Sequence, residues 1–258
     1  MPGRNRRRLL ILGGTGESAA LAREAVAALE SQVEVVTSLA GRTRAPAPVS
    51  GEVRVGGFGG AEGLAEYLAH ERFDLLVDAT HPFAATISAN ARDACARAGV
   101  GRLILARPPW RRRPGDRWIE VDDAAQAAAE LADRGGRAFL TVGVKELHHF
   151  GRLEGVFGLV RLIEPPAAPP PLADHVVVTG RGPFTVAGER RLLAAHRIDV
   201  VVSKASGGDA TYAKIAAARE MELPVIMVRR PPAPQGERVT SVAAALAWIA
   251  NRLGGIGG

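Results

Sequence analysis

An α/β fold built from two doubly wound parallel-sheet units follows from three features of the sequence. β-Branched apolar runs alternate with alanine-rich helical stretches from residue 8 onward. The alternation stops at a proline- and arginine-rich piece, 107–117, and then restarts. At 258 residues with 47% apolar side chains, the chain has the length and the core for one large α/β domain or two small ones.

In the first unit, taken as 1–108, strands are predicted at 8–12, 33–37, 52–55, 74–78 and 102–105, with helices near 16–30, 60–70 and 84–98. Helices between most of the strands are the crossovers that parallel neighbours require. In the second unit, taken as 117–258, strands are predicted near 118–121, 138–142, 157–162, 175–179, 199–203 and 225–228. Within it, "EPPAAPPPLAD" from Glu164 to Asp174 is too proline-rich for a helix or a sheet interior and reads as a stiff surface connection. Terminal elements of either unit remain free to pair with the other sheet.

The net charge of +6 and the pI near 10.3 come almost wholly from arginine, because Lys145, Lys204 and Lys214 are the only lysines. Such an excess attracts nucleic acid, a phosphorylated cofactor or an acidic small molecule. Basic residues gather in "RPPWRRRPGDRW", Arg107 to Trp118. No helix-turn-helix pattern, zinc-finger spacing or aromatic RNA-binding signature accompanies them, so nucleic acid is set aside and a solvated basic loop stays as the bland alternative. The single cysteine, Cys95, excludes an internal disulfide and falls in an alanine-rich helical run as a buried spectator. The apolar run near the start is too short for a signal peptide, and no stretch approaches the roughly 18 apolar residues of a membrane span. A cytoplasmic protein without a membrane partner is expected, and a monomer is compatible with every feature read so far.

The stretch "RRRLLILGGTGESAALAREAV" from Arg6 to Val26 reads as strand, glycine turn and amphipathic helix. Gly14, Gly16 and Ala19 satisfy G-x-G-x-x-A in the context that motif needs. Glycines there permit a tight turn and close approach of a pyrophosphate to free helix amides. The candidate cofactor cradle is therefore Gly13, Gly14, Thr15, Gly16 and Glu17. A unit that binds NAD places an acid near the end of its second strand. Here that strand ends in Thr37 and Ser38, and Ser38, Arg42 and Arg44 supply hydroxyl and guanidinium groups suited to a 2′-phosphate, which favours NADP over NAD. An ordinary surface loop is the alternative.

Ligands of open parallel sheets sit at the carboxyl ends of strands, which singles out further loops. After "FDLLVDA", Asp78, Thr80 and His81 lie before a helix, where Asp78 and Thr80 either join the cofactor site or cap that helix and His81 is either functional or structural. After "RAFLTV" come Gly143 and Lys145, and then His148 and His149, which as helical neighbours point apart and have no carboxylate or cysteine to complete a metal site. No metal is expected. After "IDVVVS", Lys204 precedes a small "ASGG" turn, and Asp209 is placed to cap the following helix. An ammonium there either meets an acidic ligand, donates a proton or satisfies a strand-end carbonyl. Arg181, Gly182, Pro183 and Phe184 offer a charge and an aromatic face before another helix.

In order along nearly the whole chain, "LGGTGES", "DATHPFA", "RPPW" with "GDRW", "RGPF" and "VSKASGG" resemble the precorrin-6A reductase family of cobalamin biosynthesis. The resemblance implies two Rossmann-like domains facing across a cleft, and NADPH-dependent reduction of a ring double bond of precorrin-6A to give precorrin-6B. An acidic macrocycle as partner accounts for the arginine excess. On this reading Arg181, Gly182, Pro183, Phe184, Ser203, Gly207 and Tyr212 are the candidate substrate residues, and Lys204, Lys145 and His81 the candidate catalytic ones. The residues themselves leave the proton donor open among Lys204, Lys145, His81, Tyr212 and bound water. Two rivals stand beside this reading. A short-chain dehydrogenase needs Tyr-x-x-x-Lys, and neither Tyr67 nor Tyr212 has a lysine four residues later. An NADP-sensing binding protein would have no use for the furnished second-half loops.

Overall fold

The computed structural model describes residues 6–41, 48–232 and 235–254. Along the chain run β1 (Arg7–Leu12), α1 (Gly16–Leu29), β2 (Val33–Leu39), β3 (Glu52–Val55), α2 (Ala61–His70), β4 (Leu75–Asp78), α3 (Ala85–Ala98) and β5 (Gly101–Leu105). Next come β6 (Arg117–Val121), α4 (Ala124–Arg134), β7 (Gly136–Thr141), a 3-10 helix (Val144–Phe150), β8 (Val156–Leu162) and β9 (Asp174–Thr179). The chain continues through α5 (Val186–Ala195), β10 (Val200–Lys204), α6 (Ala213–Glu220), β11 (Pro224–Val228), β12 (Arg238–Val239) and α7 (Val242–Gly254).

The first sheet has six strands in the order β12-β5-β4-β1-β2-β3, every pair parallel. Its central strand is apolar on both faces because helices cover both. Leu9 and Ile11 join the layer of α1 and α7, with Leu21, Ala25, Ala245 and Ile249. Leu10 and Leu12 join the opposite layer, with Leu64 and Leu68 of α2 and Ala91 and Cys95 of α3. Cys95 is indeed buried, and burial pushes its thiol up to about 12, so it is inert.

The second sheet also has six parallel strands, ordered β6-β11-β10-β7-β8-β9. Between β8 and β9 the proline-rich segment takes the place of a crossover helix. Leu172 from that segment packs over Gly158, where a Cβ would approach Leu172 Cδ2 to 2.6 Å.

The chain divides into Met1–Pro108 with Pro231–Gly258, and Pro109–Arg230. The boundary 117–258 is therefore corrected: the C-terminal segment belongs with the first sheet. Its reason is physical. β12 registers Arg238 with Ile104 and Val239 with Leu105. Ala245, Trp248 and Ile249 then bury one helical face of α7 in the core layer of α1.

Candidate active site

At the carboxyl edge of the first sheet, β1 runs into α1 through Gly13, Gly14 and Thr15. The Gly13 amide donates to the Ser38 carbonyl at 2.9 Å, tying the turn to the end of β2. Thr15 is the N-cap: its Oγ1 accepts the Ser18 amide at 3.1 Å and donates to the Ala79 carbonyl at 2.8 Å. Ser18 Oγ in turn accepts the Thr15 amide at 3.1 Å, completing a capping box. The three glycines of the turn differ. A Cβ on Gly13 would meet Thr37 Cγ2 at 2.9 Å, and Gly14 has φ +106°, so packing and backbone demand these two. Gly16 has neither constraint, and a Cβ there meets nothing within 4 Å. That open space lies at the mouth of α1, where the first-turn amides favour a phosphate group. Glu17 turns its carboxylate to Arg107 at 2.6 Å, which neutralises the acid beside this cradle.

Ser38 sits buried one residue before the end of β2, and Arg42 and Arg44 lie outside the described residues. At the end of β4, Asp78 Oδ1 accepts the Thr80 hydroxyl at 2.7 Å and the Thr80 amide at 3.2 Å, a local turn of the Asx type. Neither residue caps α3, whose N-cap is Ala84 without a side-chain bond. Asp78 Oδ2 is buried without a partner, an acceptor left over at the strand end. His81 Nδ1 accepts the Phe83 amide at 3.2 Å, so it is held in its turn.

In the second unit, the carboxyl ends of β7 and β10 meet through an ion pair that the sequence did not disclose: Lys204 Nζ to Glu146 Oε1, 3.1 Å. Glu146 Oε2 also lies 3.9 Å from His149 Nε2. Lys145 is exposed, and its carbonyl accepts from His148 Nδ1 at 2.7 Å when that nitrogen carries the proton. The expectation that His148 and His149 point apart is overturned, since their rings fold together with centroids 3.9 Å apart. Among the described residues no group of three or more His, Cys, Asp or Glu side chains could hold a metal ion.

The substrate residues expected in the second unit divide into two sets. Arg181 and Pro183 are exposed, and the Phe184 amide donates to the Ala210 carbonyl at 3.2 Å, which stitches the 181–184 loop to the loop before α6. The Arg161 guanidinium lies over one face of the Phe184 ring, 4.1 Å from its centroid. Ser203 is buried inside β10, and Gly207 is a buried turn residue at φ +68°. Tyr212, rather than Asp209, is the N-cap of α6, and its hydroxyl accepts from Arg219 Nη2 at 2.5 Å. Arg219 is held in turn by Asp116 at 2.8 Å. Two anchors also missed from sequence fix the 205–208 turn. Trp110 Nε1 donates to the Gly208 carbonyl at 2.6 Å, and Arg230 Nη2 donates to that of Ser206 at 2.9 Å. Nothing local announces either, since their partners lie 98 and 24 residues away in sequence.

Two six-stranded parallel sheets flanked by helices, the first with a glycine turn at the mouth of α1, define a Rossmann-like α/β protein. The chain belongs to the family described as precorrin-6x reductase CbiJ/CobK, whose model matches residues 8–250. It is 50% identical to the precorrin-6A reductase of Rhodococcus erythropolis, over 94% of this chain and 97% of that protein. It is 46% identical to that of a Sinorhizobium species, over 95% and 94%. A solved precorrin-6A reductase structure, CobK, superposes with a TM-score of 0.89 at 43% identity, covering 95% of this chain and 97% of that one.

Proposed function

We propose that this chain reduces a ring double bond of precorrin-6A with NADPH, giving precorrin-6B, in the cytoplasm. The observation that carries the cofactor reading is the glycine turn: Gly16 is small where the fold does not require it, at a helix mouth suited to a pyrophosphate. The strand end beside it carries Ser38 in place of an acid, which suits a phosphorylated ribose. The substrate reading rests on family membership and on the activity named for the relatives. Among the described residues no helix is long and apolar enough to cross a membrane.

NADPH, when bound, supplies the hydride to one carbon of the double bond. The other carbon needs one proton. Lys204 is the best placed of the candidates: its ammonium stands at the carboxyl end of β10, mostly buried, and Glu146 fixes its direction. Proton transfer from Nζ leaves a neutral amine that solvent reprotonates. Lys145 and His81 remain weaker candidates, since Lys145 is exposed and His81 is engaged in its own turn. Arg181 and its loop are assigned to the acetate and propionate fringe of the macrocycle.

Purified protein incubated with precorrin-6A and NADPH should oxidise one NADPH per precorrin-6B formed. NADPH binding without oxidation would instead favour an NADP-sensing protein. The short-chain-dehydrogenase rival lacks its Tyr-x-x-x-Lys pair, the fourth residue after Tyr67 being Glu71 and after Tyr212 being Ala216.

A further inference from the structure

β3 carries an arginine that the motif reading passes over. The parallel register sets Arg54 directly beside Ser38, so the two side chains share one face at the carboxyl end of adjacent strands. The guanidinium is fixed in place before any ligand arrives. Its Nη1 donates to the Gly56 carbonyl at 2.7 Å and its Nη2 to that of Gly57 at 2.9 Å. It lies over the rings of Phe58 and Tyr67, 3.9 and 5.0 Å from their centroids. Two carbonyl bonds leave unused donors on a group with five N–H. No carboxylate pairs with Arg54 among the described residues, whereas Arg7, Arg8, Arg92, Arg107 and Arg252 of the same unit each meet one. The space beside it is open, since a Cβ on Gly56, Gly57, Gly59 or Gly60 would meet nothing within 4 Å.

We infer that Arg54 holds the 2′-phosphate of the cofactor and sets the preference for NADPH over NADH, an inference that rests on the cofactor reading above. An ordered, planar cation without a carboxylate partner among the described residues, next to the strand end assigned to the ribose, matches a phosphate monoester in charge and in fork geometry. Its carbonyl bonds and ring contacts mean that little side-chain freedom is lost when the phosphate binds.

The test is a binding titration that needs no macrocycle, using NADPH, NADH and adenosine 2′-monophosphate against native protein, Arg54→Met and Arg54→Lys. Arg54→Met keeps the apolar stem over Phe58 and Tyr67. It should raise the Kd for NADPH roughly tenfold to a hundredfold, as expected for loss of a charged hydrogen bond, and abolish binding of the monophosphate. NADH affinity should stay within about twofold while Arg54→Lys recovers part of the loss, the point charge surviving without the fork. Should Arg54→Met not fold, Arg54→Lys alone decides, by a loss confined to NADPH and the monophosphate. Equal weakening of NADPH and NADH would reduce Arg54 to a staple of the 56–60 loop and overturn the inference. Native preference for NADPH that survives Arg54→Met would also overturn it while leaving the cofactor reading intact. Native protein that binds neither dinucleotide, or binds both equally, would sink that reading and the inference together.

Discussion

Lys204 and Glu146 form an ion pair, Nζ to Oε1 at 3.1 Å, that ties the carboxyl end of β10 to the 3-10 helix after β7. They lie 58 positions apart in the chain, and the sheet brings them together because β10 and β7 are parallel neighbours. The ammonium therefore has a carboxylate of its own before any acidic ligand arrives.

Lys204→Met should lower turnover of precorrin-6A by roughly 10²-fold in kcat if Nζ gives the proton, the usual scale for a general acid. If Nζ only holds a carboxylate, the loss should fall on KM, about 1.5–3 kcal/mol. Folding should survive, because Glu146 is 32% exposed and the pair contributes no more than about 1 kcal/mol after solvent screening. Glu146→Gln should lower turnover in native protein and cost much less in the Lys204→Met background. Full additivity in that double-mutant cycle would show that Glu146 does not act through Lys204.

The glycine turn separates folding from binding. Gly13→Val drives a Cβ into Thr37 Cγ2 at 2.9 Å and should destabilise the first unit by about 1–3 kcal/mol, read as a lowered Tm. Gly16→Val meets no atom of the chain, so Tm should hardly move while NADPH affinity falls. Normal NADPH binding by a folded Gly16→Val protein would place the cofactor elsewhere.

These contrasts show what a linear reading can and cannot reach. Strands such as Leu9–Leu12 and Val200–Val202 are legible because burial on both faces leaves a continuous apolar run. The turn at Gly13–Gly16 is legible because the positive φ of Gly14 and the Thr15–Ser18 cap are local demands. β12 is not, because its two residues Arg238 and Val239 are placed by backbone pairing with β5 and by the docking of α7. Glu146 and Arg54 are not, because each matters through a neighbour on another strand, and the register that supplies the neighbour is a property of the sheet. Helix capping, one of the two roles open to Asp78 and Thr80 from sequence, fails because α3 begins later, with six residues between Asp78 and Ala85.

Lys214 lies buried at the start of α6, its Nζ donating to the Thr211 carbonyl at 3.0 Å and standing 5.2 Å from the centre of the Trp110 ring. Burial brings its ammonium down to about 7, against an opposing pull from Glu189 and a reinforcing push from Arg161. Because the folded value lies below the unfolded one, the unfolded chain holds more protons above pH 7, and stability gains with rising pH until the unfolded lysine also titrates. Native protein should therefore gain stability over Lys214→Met from about pH 7 to about pH 10, by up to about 1.4 kcal/mol per pH unit. Parallel curves of unfolding free energy against pH for the two proteins would remove Lys214 as the source.

Ser38→Asp tests the strand end that reads the ribose. Ser38 is 6% exposed and stands in register with Arg54. A carboxylate introduced there would repel a 2′-phosphate and supply Arg54 with a counter-anion. Both effects act against NADPH, while the free 2′-hydroxyl of NADH would gain an acceptor. The ratio of kcat/KM for NADPH over NADH should fall at least roughly tenfold, one charged hydrogen bond's worth. Melting of the variant checks the fold, because a carboxylate at so buried a position costs stability unless Arg54 reaches it. An unchanged cofactor ratio in a folded Ser38→Asp protein would move the ribose away from the end of β2 and leave the choice of cofactor to residues outside this edge.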